Sequence, residues 1–236
     1  MKITIHKSQD RGHVNHGWLD SYHSFSFGEY YDPNKMGFGK LRVINDDFIA
    51  AGSGFGKHPH KNMEIITIML SGILKHQDSM NNSALIRAGE IQVMSAGTGV
   101  FHSEFNGSDY DSINLLQIWV EPNKLDVEPR YDQKTIKNLA KKNELYQILS
   151  PNKDGNGVWI YQDAYFYLGE FEEEKEISYQ LKNKDHGLYI FVIEGELSLK
   201  NQALFKRDAA EIYGEEIINF TAKKDSKVLL IEIPLK

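Results

Sequence analysis

Two short stretches place three imidazoles and a carboxylate where they can close on one ion: Gly56-Lys57-His58-Pro59-His60 and Gly97-Thr98-Gly99-Val100-Phe101-His102-Ser103-Glu104. A strand rises about 3.3 Å per residue and sends alternate side chains to one face, so His58 and His60 sit about 6.6 Å apart at Cα and point the same way. His102 and Glu104 repeat that spacing on a second strand. Pro59 faces the other way and offers no ladder donor, which places it at a strand beginning or on a sheet edge. Neutral imidazole and carboxylate suit a borderline divalent metal, and the chain has no cysteine to bias the site toward thiolate chemistry. Glu64 lies four residues beyond His60 and falls on the same face of a continued strand. Spacing alone therefore admits either Glu64 or Glu104 beside His58, His60 and His102.

The elements that must hold these groups read as strands. Short apolar runs separated by turn signals recur at Leu41 to Ile44, Glu64 to Leu70, Gly89 to Met94, Leu115 to Val120, Trp159 to Tyr161, Leu188 to Ile193 and Val228 to Ile233. Many short strands at close intervals argue for an all-β sandwich or barrel. Helix-face spacing occurs only near Gln133 to Lys142, where Ile136, Leu139 and Ala140 line up, so one modest helix is expected there. It follows a proline-punctuated stretch, Glu121-Pro122-Asn123 and Glu128-Pro129-Arg130, that reads as a linker. Leu70-Ser71-Gly72-Ile73-Leu74 on one side matches Ile193-Glu194-Gly195-Glu196-Leu197 on the other, which reads as two copies of one β-barrel unit. The expected division is 1–121, a linker with a short helix at 122–144, and 145–236.

With 236 residues, 41% hydrophobic and 25% charged, the chain has the composition of a folded globular protein. A formal net charge of −6 argues against nucleic acid or an anionic membrane as partner. The basic run Lys137 to Lys142 is broken by apolar residues and reads as a solvated face. The absence of cysteine excludes a disulfide framework, the first residues lack a signal-peptide pattern, and no apolar run is long enough to span a bilayer, so a cytoplasmic location is expected.

The run Gly52 to Glu64, with His58-x-His60-x-x-x-Glu64, resembles the first cupin motif, and Gly99-x-x-His102-x-x-x-Asn106 resembles the end of the second. Over Gly12 to about Glu121 the chain resembles the pirin family, in the bacterial branch that includes quercetin 2,3-dioxygenase-like proteins. The resemblance is carried by Asn15-His16-Gly17-Trp18-Leu19-Asp20, Phe25-Ser26-Phe27, Tyr31-Asp32-Pro33, Leu41-Arg42-Val43-Ile44-Asn45-Asp46-Asp47, His58-Pro59-His60-Lys61, His76-Gln77-Asp78-Ser79 and Met94-Ser95-Ala96-Gly97-Thr98-Gly99.

That resemblance implies two jelly-roll cupin barrels face to face, with one metal ion in the first. It selects Glu104 as the fourth ligand beside His58, His60 and His102, leaves Glu64 nearby as a non-ligand, and favours Fe(II), other divalent transition metals being able to replace it in recombinant protein. The implied activity is dioxygenation of a flavonol such as quercetin: the 3-hydroxyl loses its proton, O2 adds across the heterocycle, and ring cleavage expels carbon monoxide. Glu104 is then both ligand and the expected catalytic base. A small phenolic or enolic substrate and O2 are the expected partners of a monomeric protein. The family also implies a second reading, a metal-dependent regulator with a protein partner. In the second half His186 is the single histidine, so an empty barrel is expected there, with His186 structural or exposed. His76 is assigned to ordinary packing or to a contact with a ligand residue or the substrate.

Overall fold

The computed structural model describes residues 2–236 as two halves of one plan, each a seven-stranded sheet packed on a four-stranded one. In the first half the large sheet runs Arg130–Thr135, Glu90–Ser95, Glu64–Ser71, Ile113–Val120, Leu41–Ile49, Leu19–His23 and Gly12–Asn15, and the small one Gly54–His60, Val100–Asn106, Ile73–Asp78 and Ser83–Arg87. In the second half the large sheet runs Lys2–His6, Ala209–Tyr213, His186–Glu194, Ser226–Pro234, Tyr165–Phe171, Leu145–Ser150 and Val158–Trp159. The small one runs Lys175–Gln180, Ile217–Ala222, Glu196–Leu199 and Gln202–Phe205. The two orders correspond except at one outer edge, where Gly12–Asn15 pairs antiparallel with Leu19–His23 but Val158–Trp159 pairs parallel with Leu145–Ser150, so the all-β, twin-barrel architecture expected from the sequence is the one observed.

The two large sheets pack face to face. Ile44, Ile66, Leu116 and Ile118 of the first meet Ile148, Phe166, Leu229 and Ile231 of the second in one core, each of them fully or nearly fully buried. Each large sheet covers its own small sheet with the other face. Burial on both faces is why Leu188-Tyr189-Ile190-Phe191-Val192 is a continuous apolar run rather than an alternating one, and why Ile65-Ile66-Thr67-Ile68-Met69 is broken only by Thr67. Each such side chain contributes about 1.5–3 kcal/mol by leaving water. An ionic tie joins the halves at their margin: Arg207 Nε lies 2.8 Å from Asp46 Oδ2, and its Nη2 donates to Asn114 Oδ1 at 3.1 Å.

Gly72 and Gly195 carry the internal symmetry. Each has φ +78° and each turns the chain from the large sheet into the small one, so these are corners between sheets rather than hairpins within one. A Cβ at Gly72 would lie 2.2 Å from Ile113 Cγ2, and one at Gly195 2.5 Å from Ser226 Oγ. Both the backbone angle and the space demand glycine.

The helix expected around Gln133 to Lys142 does not form. Arg130–Thr135 is a strand paired along its length with Glu90–Ser95, and only Lys137–Leu139 makes a single 3-10 turn. The large sheet offered an open edge beside Glu90–Ser95, and pairing there satisfies the backbone groups that a helix would have satisfied internally. One turn suffices to bring Ile136 into the core with Leu139 packed against it, which exhausts the helix-like spacing. Lys134 fixes the strand by donating to the carbonyls of Gly155 at 3.1 Å and Gly157 at 2.7 Å. Lys2–His6 occupies the equivalent edge of the second half, pairing with Ala209–Tyr213. Among the described residues no helix is long and apolar enough to cross a membrane.

Candidate metal centre

The edge strand Gly54–His60 and its neighbour Val100–Asn106 set the site. His102 pairs directly with His58, and Pro59 lies on the free edge strand that its missing N–H requires. Val100–Asn106 alternates strictly, with Val100, His102, Glu104 and Asn106 buried and Phe101 and Phe105 exposed. On the other side of this strand Asp78 pairs with His102 and His76 with Glu104. Partners directly opposite share a face, so His58, His102, Glu104 and His76 all turn inward.

The three predicted imidazoles converge. Ring centroids are 4.9 Å apart for His58 and His60, 4.4 Å for His58 and His102, and 4.9 Å for His60 and His102, and one nitrogen of each falls within 4.8 Å of the others. Glu104 stands behind them: its carboxylate forms a second such group with His102 and His76. Its Oε1 accepts from Gln92 Nε2 at 2.5 Å and its Oε2 from Gln117 Nε2 at 2.9 Å, so two amides hold it in one orientation.

Three observations fit this group to a divalent cation. His58 Nδ1 lies 2.7 Å from the Gly56 carbonyl, which can only accept, so Nδ1 carries the proton and Nε2 presents its lone pair inward. Both nitrogens of His102 are buried without a hydrogen-bond partner, a cost that coordination removes for one of them. Burial, reinforced by the neighbouring histidines, pushes His60 down to about 4 and His102 down to about 3, so both rings are neutral ligands at neutral pH.

A cavity of about 430 Å³ opens onto the histidines, walled by Trp18, Phe27, Phe55, Ile65 and Trp119. Trp119 meets His60 edge-on with centroids 4.9 Å apart, and its indole N–H is buried without a partner. Asp47 also faces this cavity. Burial raises its carboxyl to about 7 against an opposing hydrogen bond from Ser21. Asp47, Gln92, Gln117 and Trp119 were not singled out in the sequence reading. The glutamines left only a weak trace, each a polar residue at an inward position of a largely apolar strand, Glu90–Ser95 and Ile113–Val120, with nothing local to say what it faces.

Glu64 is not in either donor group. Its expected alignment with His60 assumed one continuous strand, but the chain turns at Asn62, whose φ is +48°, and Glu64 begins a strand of the other sheet. There it accepts from Ser95 Oγ at 2.7 Å. Burial raises the Glu64 carboxyl to about 7, opposed by Ser95 and Arg130. A folded-state value above the unfolded one means that folding takes up a proton, so this group's contribution falls as pH rises from about 4.5 through 7. Glu64→Gln is therefore expected to flatten the decline in stability of metal-free protein over that window by at most about 3 kcal/mol, measured by urea unfolding at several pH values. An unchanged slope would contradict the burial argument.

In the second half the equivalent strands, Lys175–Gln180 and Ile217–Ala222, contribute Tyr179, Ile218, Phe220 and Ala222 to a packed apolar core. His186 is buried at that half's margin, with Nδ1 2.9 Å from Glu232 Oε1 and Nε2 3.3 Å from Asp163 Oδ2. Tyr179 Oη donates to the same Glu232 at 2.7 Å. These contacts give His186 a structural part.

Comparison with known proteins matches the chain in two stretches. The family model described as Pirin matches residues 4–120, and one described as Quercetinase C-terminal cupin domain matches residues 147–233. Quercetin 2,3-dioxygenase of Escherichia coli (strain K12) is 43% identical over 232 residues, 98% of this chain and 99% of the relative. A Pirin-like protein of Caulobacter vibrioides is 36% identical over 222 residues, 94% of this chain and 95% of its own. Among solved structures, the bacterial pirin YhhW from Escherichia coli in complex with nickel(II) superposes with a TM-score of 0.94 at 41% identity, covering 100% of both chains.

Proposed function

The chain belongs to the pirin family, and on that premise we propose that it is a mononuclear metal-dependent dioxygenase that opens the heterocycle of flavonols such as quercetin with release of carbon monoxide. The observation that carries this reading is the convergence of His58, His60 and His102 at the floor of an aromatic-walled cavity, with the Glu104 carboxylate beside His102. These four residues would hold one divalent ion, Fe(II) in the active protein, and the ion supplies Lewis acidity toward a phenolate oxygen and an affinity for O2.

The chain's own residues do the rest. Trp18, Phe27, Phe55 and Trp119 accept a flat polyphenol between aromatic walls and keep water away from it. Glu104, oriented by Gln92 and Gln117, receives the proton of the substrate 3-hydroxyl. The carbonyl-flanked ring then opens with insertion of both atoms of O2, leaving a depside and carbon monoxide. The units would be 1–121, bearing the ion, and 145–236, a barrel without one, in a cytoplasmic monomer, with Lys2–His6 completing the second unit's large sheet and Arg130–Thr135 of the linker the first's.

The test is aerobic incubation of iron-loaded protein with quercetin, following carbon monoxide and depside. Stoichiometric carbon monoxide that disappears in His58→Ala is the expected result. Quercetin left unconsumed by protein carrying one iron per chain would overturn the assignment.

A further inference from the structure

Behind the three converging imidazoles stands a fourth that the reading above does not use. His76 lies on Ile73–Asp78, its side chain wholly shielded from solvent, with Tyr131 stacked on its ring at a centroid distance of 4.7 Å. Its Nε2 is 3.1 Å from Asp78 Oδ2; the carboxylate accepts, so Nε2 carries the proton and Nδ1 is a bare lone pair. Asp78 is itself fixed by the N–H groups of Met80 at 2.9 Å and Asn82 at 3.0 Å and by the Asn82 amide at 2.8 Å. A buried carboxylate gripping one edge of a histidine is the arrangement that makes its other nitrogen a strong acceptor.

That nitrogen has no partner, and neither has either nitrogen of His102, whose ring centroid is 5.5 Å away. Buried polar atoms without partners are rare, and three in one contact call for an accounting. The two rings are close but not hydrogen-bonded as they stand; one ion and one hydrogen bond, formed as His102 turns onto the ion, would satisfy all three, the ion taking one nitrogen of His102 and the other, as N–H, donating to His76 Nδ1. We propose that Asp78 and His76 form a relay behind His102, fixing the tautomer and ring orientation with which His102 meets the metal and raising its donor strength. His76 is thus a positioning residue, not a ligand. The inference rests on the metal-site reading of the previous subsection.

Nickel(II) titration of the full-length protein separates the outcomes. His76→Leu removes the acceptor but suits an apolar pocket, and is expected to weaken nickel binding about 10- to 100-fold; His76→Gln, which keeps an acceptor oxygen, recovers most of that loss. Asp78→Asn keeps the turn contacts and is expected to raise the Fe(III)/Fe(II) midpoint potential. In zinc-loaded wild-type protein with 15N-labelled histidine, a nitrogen–nitrogen coupling between His76 and His102 is expected, and this readout needs no variant to fold. Folded His76→Leu with wild-type affinity, or a zinc form lacking that coupling, would overturn the relay. So would two ions per wild-type chain falling to one in His76→Leu, which would give His76 an ion of its own. Failure of the wild-type chain to bind nickel would instead remove the metal-site reading itself.

Discussion

His102→Ala is expected to abolish specific metal binding and with it all flavonol turnover, while leaving the metal-free protein about as stable as before. His102 is the residue common to both donor groups, that of His58 and His60 and that of His76 and Glu104, so its loss breaks both at once. The affinity loss should exceed the roughly 100-fold that supporting residues command. Metal-free stability is spared because the packing lost with the imidazole is offset by removing two buried nitrogens that have no partner. Thermal unfolding with and without nickel(II) checks both halves of the statement. An ion that binds only the folded state at 100 times its dissociation constant stabilises by about 2.7 kcal/mol, and this increment should vanish in the variant. A metal-dependent rise in Tm that survives the substitution would place the ion elsewhere.

Glu104→Gln is expected to separate holding the metal from turning over substrate. The substitution keeps shape: one of the facing amides of Gln92 and Gln117 goes on donating to the new amide oxygen while the other rotates to present its oxygen to the new NH2, so the fold and the three imidazoles are retained. What is lost is the carboxylate that receives the phenolic proton, and general-base loss of this kind costs about 10²- to 10⁴-fold in kcat. Single-turnover measurements on iron-loaded variant, with iron content determined in the same sample, test the point. Unchanged turnover would remove Glu104 from the chemistry.

The imidazoles were legible in the sequence because strand geometry is a strict two-residue repeat: His58 and His60, then His102 and Glu104, can only mean two inward pairs if both runs are strands, and both are. Parity fails where a strand ends. Glu64 kept the right spacing from His60 but lies beyond the corner at Asn62, and local spacing carries no record of a change of sheet. The residues that orient Glu104 were hidden for a related reason. Gln92 and Gln117 come from the opposite sheet, and only the folded sandwich brings Glu90–Ser95 and Ile113–Val120 over Val100–Asn106.

The misread helix is a lesson about edges. Ile136 and Leu139 have helical spacing, yet Arg130–Thr135 preceding them joins the first half's sheet at the edge corresponding to that taken by Lys2–His6 in the second. Which segment fills an open edge depends on what else reaches it, a property of the whole chain rather than of its own periodicity. The doubled plan, by contrast, was visible in the glycine corners, because a corner between packed sheets leaves no room for a Cβ.

X-ray absorption on protein loaded anaerobically with one Fe(II) per chain tests the central claim most directly. Three imidazole ligands and an oxygen donor around the iron, falling to two imidazoles in His60→Ala, is the predicted result. Iron surrounded by oxygen alone, or the same histidine count in the variant as in the wild type, would contradict it.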